Sequence, residues 1–390
     1  MTFVTCSLDF CHWRPRTSWL FLNRIKYKIS RNSLDGQIKN FYPQRKQIWM
    51  DQSATLTHLK IFVSFDCNLR CAHCVHGRFS SEKNPPYDRA HLQRLRVFLE
   101  GLCEHNSHLN IYLSGGEPLL SPRFFQVARL IKAVGLTYKT ITNGLLLSKR
   151  SQQLLEAPPH SLWVTFNGVD EQHNLTVGLA SGYEKLRKAV QSTLPLLRSA
   201  GIKCGAVLMI NPLTYDKISE DIVLIGAMGF DEVVVQHLSF LPDSFLERHQ
   251  AVFQEKFGSP SGFCFGEGAD GREIDPSALY RELKAVRQKV YPFQYTIFPP
   301  LYQENDLQDY YSEFPQKWKD RSCRRAIHEW WILPDGSITV CFAHRIGHIG
   351  QSFDDLTRSK PLLEWQRQVS GLSEPFPGCI RCHRLYVSQN

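Results

Sequence analysis

From His58 onward the chain alternates between two hydrophobic periods. Short runs rich in β-branched and aromatic residues lie at His58–Phe65, Asn110–Leu113, Tyr138–Thr142, Ser161–Phe166, Ile202–Ile210 and Glu232–His237, and these predict buried strands. Between them, at Asp88–Glu104, Arg123–Val134, Lys149–Glu156, Tyr183–Ala200 and Tyr215–Met228, apolar residues recur three and four apart and predict helices. In the first helix Leu92, Leu95, Leu99 and Leu102 line one face behind an Asp88 N-cap. Gly135, Gly201 and Gly229 fall where helices should stop. Strands alternating with helices predict a parallel sheet, which needs right-handed crossovers and cover on both faces. The expected class is therefore α/β, closed as a curved, partly open barrel whose ligand-binding residues gather at the C-terminal ends of the strands.

Two stretches break the alternation. Residues 241–318 interleave Pro242, Pro260, Pro276, Pro292, Pro299 and Pro300 with aromatics. They read as a connecting segment with one helix near Pro276–Lys289, able to wall off a substrate cavity. Residues 1–49 mix Trp13, Trp19, Phe21 and Tyr27 with basic residues, and show neither an amphipathic period nor the apolar core of a signal peptide. No fold is assigned to them. Cys6, Cys11 and His12 in this tail read as incidental, and a start at Met50 would remove the segment altogether.

Composition then narrows the class. A chain of 390 residues, 43% of them hydrophobic, can bury one large domain with one or two small ones beside it. The net charge of +9 suggests a nucleic-acid partner until it is divided: residues 1–49 hold nine Lys/Arg against two Asp/Glu, which leaves +2 for the rest. The main body carries no footprint for nucleic acid. No run reaches the roughly 18 apolar residues of a membrane helix, the longest being Ile222–Phe230. A soluble, membrane-free protein is expected.

Seven of the twelve cysteines cluster at metal-ligand spacings, and with no secretory signal this implies a reducing cytoplasm rather than disulfides. The first cluster, Cys67-Asn-Leu-Arg-Cys71-Ala-His-Cys74, follows the first strand. Structural zinc sites use paired C-x2-C hooks, whereas three thiolates in one loop leave a metal centre with an open position. The stretch resembles the C-x3-C-x-φ-C signature of radical SAM enzymes, with His73 in the φ slot. The resemblance implies three thiolates on three irons of a 4Fe-4S cluster and S-adenosylmethionine (SAM) chelating the fourth. Ser114-Gly115-Gly116-Glu117-Pro118 follows the second strand. Its glycines let backbone approach a ligand closely, and its carboxylate can pair with an ammonium group. It resembles the GGE motif that binds the methionyl amino group of SAM. A Gly-Gly-Glu turn alone is only a turn; its place after the cysteine loop gives it weight.

Weaker likenesses continue down the chain. Thr142-Asn143-Gly144 resembles the TNG turn of these enzymes. The stretch from Trp163 to Asn174, ending in Gly182-Tyr183-Glu184-Lys185, resembles one found in their SPASM branch. Thr165 and Asn167 replace the usual Ser and Asp, Asn174 replaces a second Asp, and the usual Arg near Thr176 and Val177 is missing. Thr165 can still offer SAM a hydroxyl, but the contact to the SAM carboxylate lacks its residue. Gln236, ending the sixth strand, joins the expected SAM pocket or else bonds locally at the strand end. Cys264, between two phenylalanines, is either a thiol able to return a hydrogen atom to product or a small buried hydrophobe.

The third array comprises Cys323, Gly336-Ser-Ile-Thr-Val-Cys341 and Cys379-Ile-Arg-Cys382. A hairpin turn at Pro334-Asp335-Gly336 should bring Cys341 back beside Cys323. Four thiolates so arranged suit a closed zinc or a fully ligated iron–sulfur cluster. Downstream of such a core they resemble the twitch/SPASM extension with one auxiliary 4Fe-4S cluster, and His344, His348 and His383 stand nearby as supporting or surface residues. The resemblance as a whole implies a partial (β/α)6 TIM-like radical SAM barrel with a small cysteine-rich C-terminal domain. Its divisions are a basic extension (1–55), the core (56–240), a connecting segment (241–318) and the cluster domain (319–390). It implies a flavodoxin- or ferredoxin-type reductant and a 5′-deoxyadenosyl radical that abstracts hydrogen from a substrate carbon. The substrate is expected to be a ribosomally made peptide, with an amino-sugar or cyclitol dehydrogenase as the alternative. Outside enzymology, a zinc-binding RNA-interaction module would also use basic residues and Cys hooks.

Overall fold

The computed structural model describes residues 56–74, 88–105, 109–262, 266, 268–323, 325–341 and 344–387. The N-terminal extension and Cys264 lie outside the described residues.

Strand and helix alternate as the periods require: β1 (His58–Phe62), α1 (Arg89–His105), β2 (Asn110–Ser114), α2 (Pro122–Ala133), β3 (Tyr138–Thr142), α3 (Leu147–Glu156), β4 (Ser161–Phe166), α4 (Asp170–Val177), α5 (Gly182–Ser199), β5 (Lys203–Met209), α6 (Ile218–Gly226) and β6 (Glu232–Gln236). Then come α7 (Asp243–Phe257), α8 (Pro276–Gln288), β7 (Gln294–Phe298), α9 (Glu304–Tyr311), α10 (Arg325–His328), β8 (Glu329–Ile332), β9 (Ser337–Val340), β10 (His344–His348), α11 (Phe353–Thr357), α12 (Lys360–Ser370) and α13 (His383–Val387). Among the described residues one sheet holds every strand, in the order β10-β9-β8-β1-β2-β3-β4-β5-β6-β7. All neighbours from β8 through β7 are parallel; only β9 and β10 run antiparallel. The sheet is thus an open α/β barrel wall.

The local reasons are those in the sequence. Asp88 accepts the His91 amide at 2.7 Å to start α1, and Leu95, Leu99 and Leu102 bury the helix on the sheet. Gly135 and Gly201 end α2 and α5 at φ 79°, a conformation other residues adopt at a cost. The expected start of α6 at Tyr215 moves to Ile218, because Asn211 and Thr214 spend their side chains on a turn. There Thr214 Oγ1 accepts the Asn211 amide at 2.9 Å and Asn211 Oδ1 accepts the Leu213 amide at 2.8 Å.

Two expectations need correction. Segment 241–318 is not a connection with one helix; it carries α7, α8, α9 and the parallel strand β7. Its helical period is written in aromatic and histidine positions, Phe245, His249 and Phe253, which are buried four residues apart between charged neighbours. The prolines sit at element boundaries, Pro242 before α7 and Pro276 at the first turn of α8. The C-terminal hairpin forms as expected, with Gly336 at φ 84° and Trp330 opposite Val340, but its first strand continues the main sheet beside β1. The six-strand core is therefore extended at both edges.

This topology separates two ends. Loops following β1, β2 and β3 share the C-terminal end of the parallel strands. Cys341 follows β9, which runs back against β8, so it emerges at the opposite end, roughly 16 Å of five-residue strand away. Between the ends, the inner face holds a small cluster of Trp163, Val207, Val234 and Phe298 against Ile141 and Met209, while the main core lies outside, under the helices.

Candidate active site and cysteine centres

The β1–β2 pairing does not stop with the strands. Val63 donates its amide to the Ser114 carbonyl at 2.9 Å, Gly116 to that of Ser64 at 2.9 Å, and Glu117 to that of Asp66 at 2.8 Å. This zipper lays the Gly-Gly-Glu loop directly against the lead into the cysteine loop. It also corrects the reason for the glycines: a Cβ on Gly116 would stand 2.4 Å from the Phe65 carbonyl oxygen, and one on Gly115 2.7 Å from that of Ser64. The close approach they permit is to the chain's own β1 extension.

The loop of Cys67, Cys71 and Cys74 is held from three sides. Leu69 donates its amide to Cys67 Sγ at 3.4 Å, and the Cys74 amide closes a turn onto the Cys71 carbonyl at 3.1 Å. Ala72 donates to the Thr176 carbonyl of α4 at 2.9 Å, and Asn143 Nδ2 to Asn68 Oδ1 at 2.8 Å. Cys67 and Cys74 are exposed and Cys71 is partly so. Lost solvation, then the Glu117 carboxylate and Cys74, push the Cys67 thiol up to about 11, and lost solvation with Cys74 and Cys67 pushes the Cys71 thiol up to about 12. Three sulfurs on one accessible loop are the donor type that an iron–sulfur centre with an outward coordination position uses.

Glu117 is buried, and its carboxylate is already engaged. Oε1 accepts from the Leu119 amide at 3.0 Å and from Thr142 Oγ1 at 2.7 Å, and Oε2 accepts from the Asn143 amide at 2.8 Å. Burial outweighs these bonds and raises its pKa to about 7. The side chain clips the loop after β2 to the turn after β3.

The remaining expected SAM residues divide. Thr165 lies on β4 opposite Val207, and Val207 opposite Val234, so Thr165 and Gln236 share the inner face, Gln236 two residues beyond Val234. Gln236 Oε1 is buried there without a hydrogen-bond partner. Ser114 is the buried last residue of β2. Asn167 turns its backbone amide to His173 Nδ1 at 3.2 Å, and burial holds that imidazole down near 4. His73 faces Asp270 and Glu273, which oppose the lowering of its pKa by burial, so the stretch before α8 approaches the cysteine loop.

At the other end Cys382 is buried while Cys323, Cys341 and Cys379 are partly so. Cys341 sits at φ 54°, and the hook closes through the Cys382 amide on the Cys379 carbonyl at 3.0 Å. Burial pushes the Cys323 thiol up to about 12, with Cys382 adding repulsion; Cys341 is raised further by burial and Cys323. Arg384 draws all three of these thiols back toward ionisation. An all-sulfur donor set beside a buried guanidinium fits an anionic metal–thiolate centre. Among the described residues, no three His, Cys, Asp or Glu side chains stand close enough to hold a single ion. His383 Nε2 bonds to Ser239 Oγ and to the His237 carbonyl, both at 2.9 Å, and so ties the hook to the end of β6.

Sequence reading missed that Asn68 and the Thr176 carbonyl brace the cysteine loop and that Thr142 holds Glu117, and it missed the buried trio Lys60, Glu329 and Arg384. A charge inside a strand run, as at Lys60 between Leu59 and Ile61, was the available signal.

Comparison with known proteins accords with this geometry. Residues 61–225 match the Radical SAM superfamily. AdoMet-dependent heme synthase of Methanosarcina barkeri is 27% identical over 45% of this chain and 48% of its own length. GTP 3′,8-cyclase of Chlorobaculum tepidum is 28% identical over 36% of this chain and 42% of its own. The chain thus spans less than half the length of these curated relatives. Among solved structures, Streptococcus suis SuiB superposes with a TM-score of 0.54 at 15% identity, covering 79% of this chain and 67% of its own. It has also been solved with S-adenosylmethionine and with its precursor peptide SuiA. No helix among the described residues is long and apolar enough to cross a membrane. The matched stretch, residues 61–225, carries the three-cysteine loop and most of the parallel barrel wall, and it is this part of the chain that is similar to the radical SAM superfamily.

Proposed function

We propose that Cys67, Cys71 and Cys74 hold a 4Fe-4S cluster whose open iron binds SAM, and that the chain is a radical SAM enzyme acting on a peptide. When bound, that pair supplies a 5′-deoxyadenosyl radical by one-electron cleavage of SAM. The chain's own residues bind, orient and shield. The observation that carries the reading is the zipper from Val63–Ser114 to Asp66–Glu117, which puts the three-cysteine loop and the Gly-Gly-Glu loop side by side at the C-terminal strand ends. Glu117 contributes by fixing that loop against β3, and its contact to the methionyl ammonium is an additional role. Thr165 and Gln236, with the unpartnered Gln236 Oε1 facing inward, line the pocket from β4 and β6. Cys323, Cys341, Cys379 and Cys382 hold one auxiliary 4Fe-4S cluster at the far end.

The peptide reading is supported by the fold shared with SuiB, a protein solved with a precursor peptide, and by the SPASM-like stretch from Trp163 to Lys185. A small-molecule substrate is the second reading, favoured by the curated relatives named as heme synthase and GTP cyclase. The test is anaerobic incubation with SAM and dithionite. Formation of 5′-deoxyadenosine that is lost in Cys71→Ala is expected, and its retention would refute the assignment. Deuterium passing from a labelled substrate carbon into 5′-deoxyadenosine then decides between the two substrate classes.

A further inference from the structure

Between the two cysteine centres the barrel buries an ionic group that neither SAM binding nor metal ligation uses. Glu329, 1% exposed, opens β8 beside β1, with His58 opposite it and Lys60 opposite Trp331. Arg384, two residues past Cys382, grips the Glu329 carboxylate in fork fashion, Nε to Oε2 at 2.9 Å and Nη2 to Oε1 at 2.6 Å. Arg325 Nη1 reaches Oε2 at 3.7 Å, and the Trp331 indole donates to Oε1 at 2.6 Å. The Arg384 guanidinium lies 4.9 Å from the Trp331 ring centre, and the Lys60 ammonium lies 5.1 Å from the same ring. Phe62 and Tyr112 complete the box around Lys60 at 4.8 and 5.1 Å.

Two cationic side chains, Arg384 and Arg325, therefore reach one carboxylate, and behind Trp331 stands the Lys60 amine, which burial and Arg384 bring down to about 7. A stable pair would need only one of them, since burying charge is costly unless it is compensated. Arg384 is also near enough to Cys323, Cys341 and Cys382 to favour their ionised forms. We propose that Arg384, positioned by Glu329 and extended by Lys60 behind Trp331, sets the reduction potential of the C-terminal iron–sulfur centre upward. Adding an electron to a thiolate-ligated cluster increases its negative charge, and a buried cation stabilises that reduced state more than the oxidised one. Glu329 opposes the effect and aims the guanidinium. These are positioning residues; none touches the site at the other end of the barrel. The inference rests on the auxiliary-cluster reading above.

The test uses the full-length reconstituted chain and follows, in a redox titration, the reduced-cluster electron paramagnetic resonance signal that added SAM leaves unchanged. Arg384→Gln should lower its midpoint by at least a tenfold change in the reduced-to-oxidised ratio, about 59 mV for a one-electron couple. Lys60→Met, whose replacement fits the aromatic box, should lower it by a smaller amount, and Glu329→Gln should raise it. If Arg384→Gln fails to assemble, Lys60→Met still decides. Full iron content with midpoints unmoved in the assembled variants overturns the inference alone. Zinc in place of iron at the C-terminal cysteines, with no SAM-insensitive signal, overturns the inference and the auxiliary-cluster reading together.

Discussion

The two thiol sites of this chain are built in opposite ways. At the C-terminal strand ends Cys67 and Cys74 stand exposed on a loop braced by backbone hydrogen bonds, with Glu117 buried behind it. In the C-terminal array Cys382 is buried, Cys341 is held at positive φ, and Arg384 stands locked to Glu329 two residues past the hook. An exposed three-thiol loop can offer a coordination position to a ligand. A four-thiol set that is partly or wholly buried offers less access to a ligand, and suits storage of an electron or anchoring of the chain. The difference teaches that accessibility, as well as the number of cysteines, distinguishes the two sets.

The sharpest way to break the comparison is at the exposed loop. Alanine at Cys67, Cys71 or Cys74 should reduce 5′-deoxyadenosine formation at least about a thousandfold, as loss of an essential group does, while circular dichroism shows the fold retained. Gly116→Ala comes next. Its Cβ would meet the Phe65 and Asp66 carbonyl oxygens at 2.4 and 2.5 Å, so the zipper must open. A loss of roughly 3 kcal/mol or more in denaturant unfolding and a failure to retain iron are expected. Replacing Cys323, Cys341, Cys379 and Cys382 together should remove about half of the iron yet leave reductive SAM cleavage within a few-fold of the parent. Iron and sulfide analysis with chromatographic product assay checks both.

Glu117 gives a pH-dependent contrast. Its pKa rises from 4.5 to about 7 on folding, so the folded state binds the proton more tightly and stability falls as pH climbs through that window. The expected slope amounts to on the order of 3 kcal/mol between pH 4.5 and 7, and Glu117→Gln should flatten it in urea unfolding at several pH values. The smallest effect belongs to Asn143→Ala, which removes the 2.8 Å bond to Asn68 and the 3.1 Å cap on the Leu145 amide. A loss of about 1 kcal/mol and a several-fold weaker SAM dissociation constant by calorimetry are expected.

Much of the reactive end was legible beforehand, because its residues are contiguous: the cysteines in one loop, Gly115 to Glu117 in another, Thr142 to Gly144 in a third. Loops after consecutive parallel strands must meet at one end, so reading each motif after its strand already placed them together. The C-terminal half was less legible. α7 buries Phe245, His249 and Phe253 at an ordinary helical spacing, but the flanking prolines suggested irregular chain. β7 is five residues long, with an exposed Gln294 at its start and Phe298 before Pro299, and has too little pattern to stand out.

By itself, the sequence determined the alternation of elements and the helix stops at Gly135 and Gly201, since these follow from hydrophobic period and local backbone preference. Only the tertiary structure decided which groups meet. Gly116 is required because the Asp66 backbone lies against it, Glu117 is engaged because β3 ends beside it, and the C-terminal hairpin joins β1 rather than standing apart. Arg384 lies 55 residues past Glu329, and Lys60 lies 269 residues before it, yet the three gather around Trp331. Spacing along a chain encodes neighbours within a loop or a helix face, whereas contacts between distant strands depend on sheet order and register, which no local pattern records.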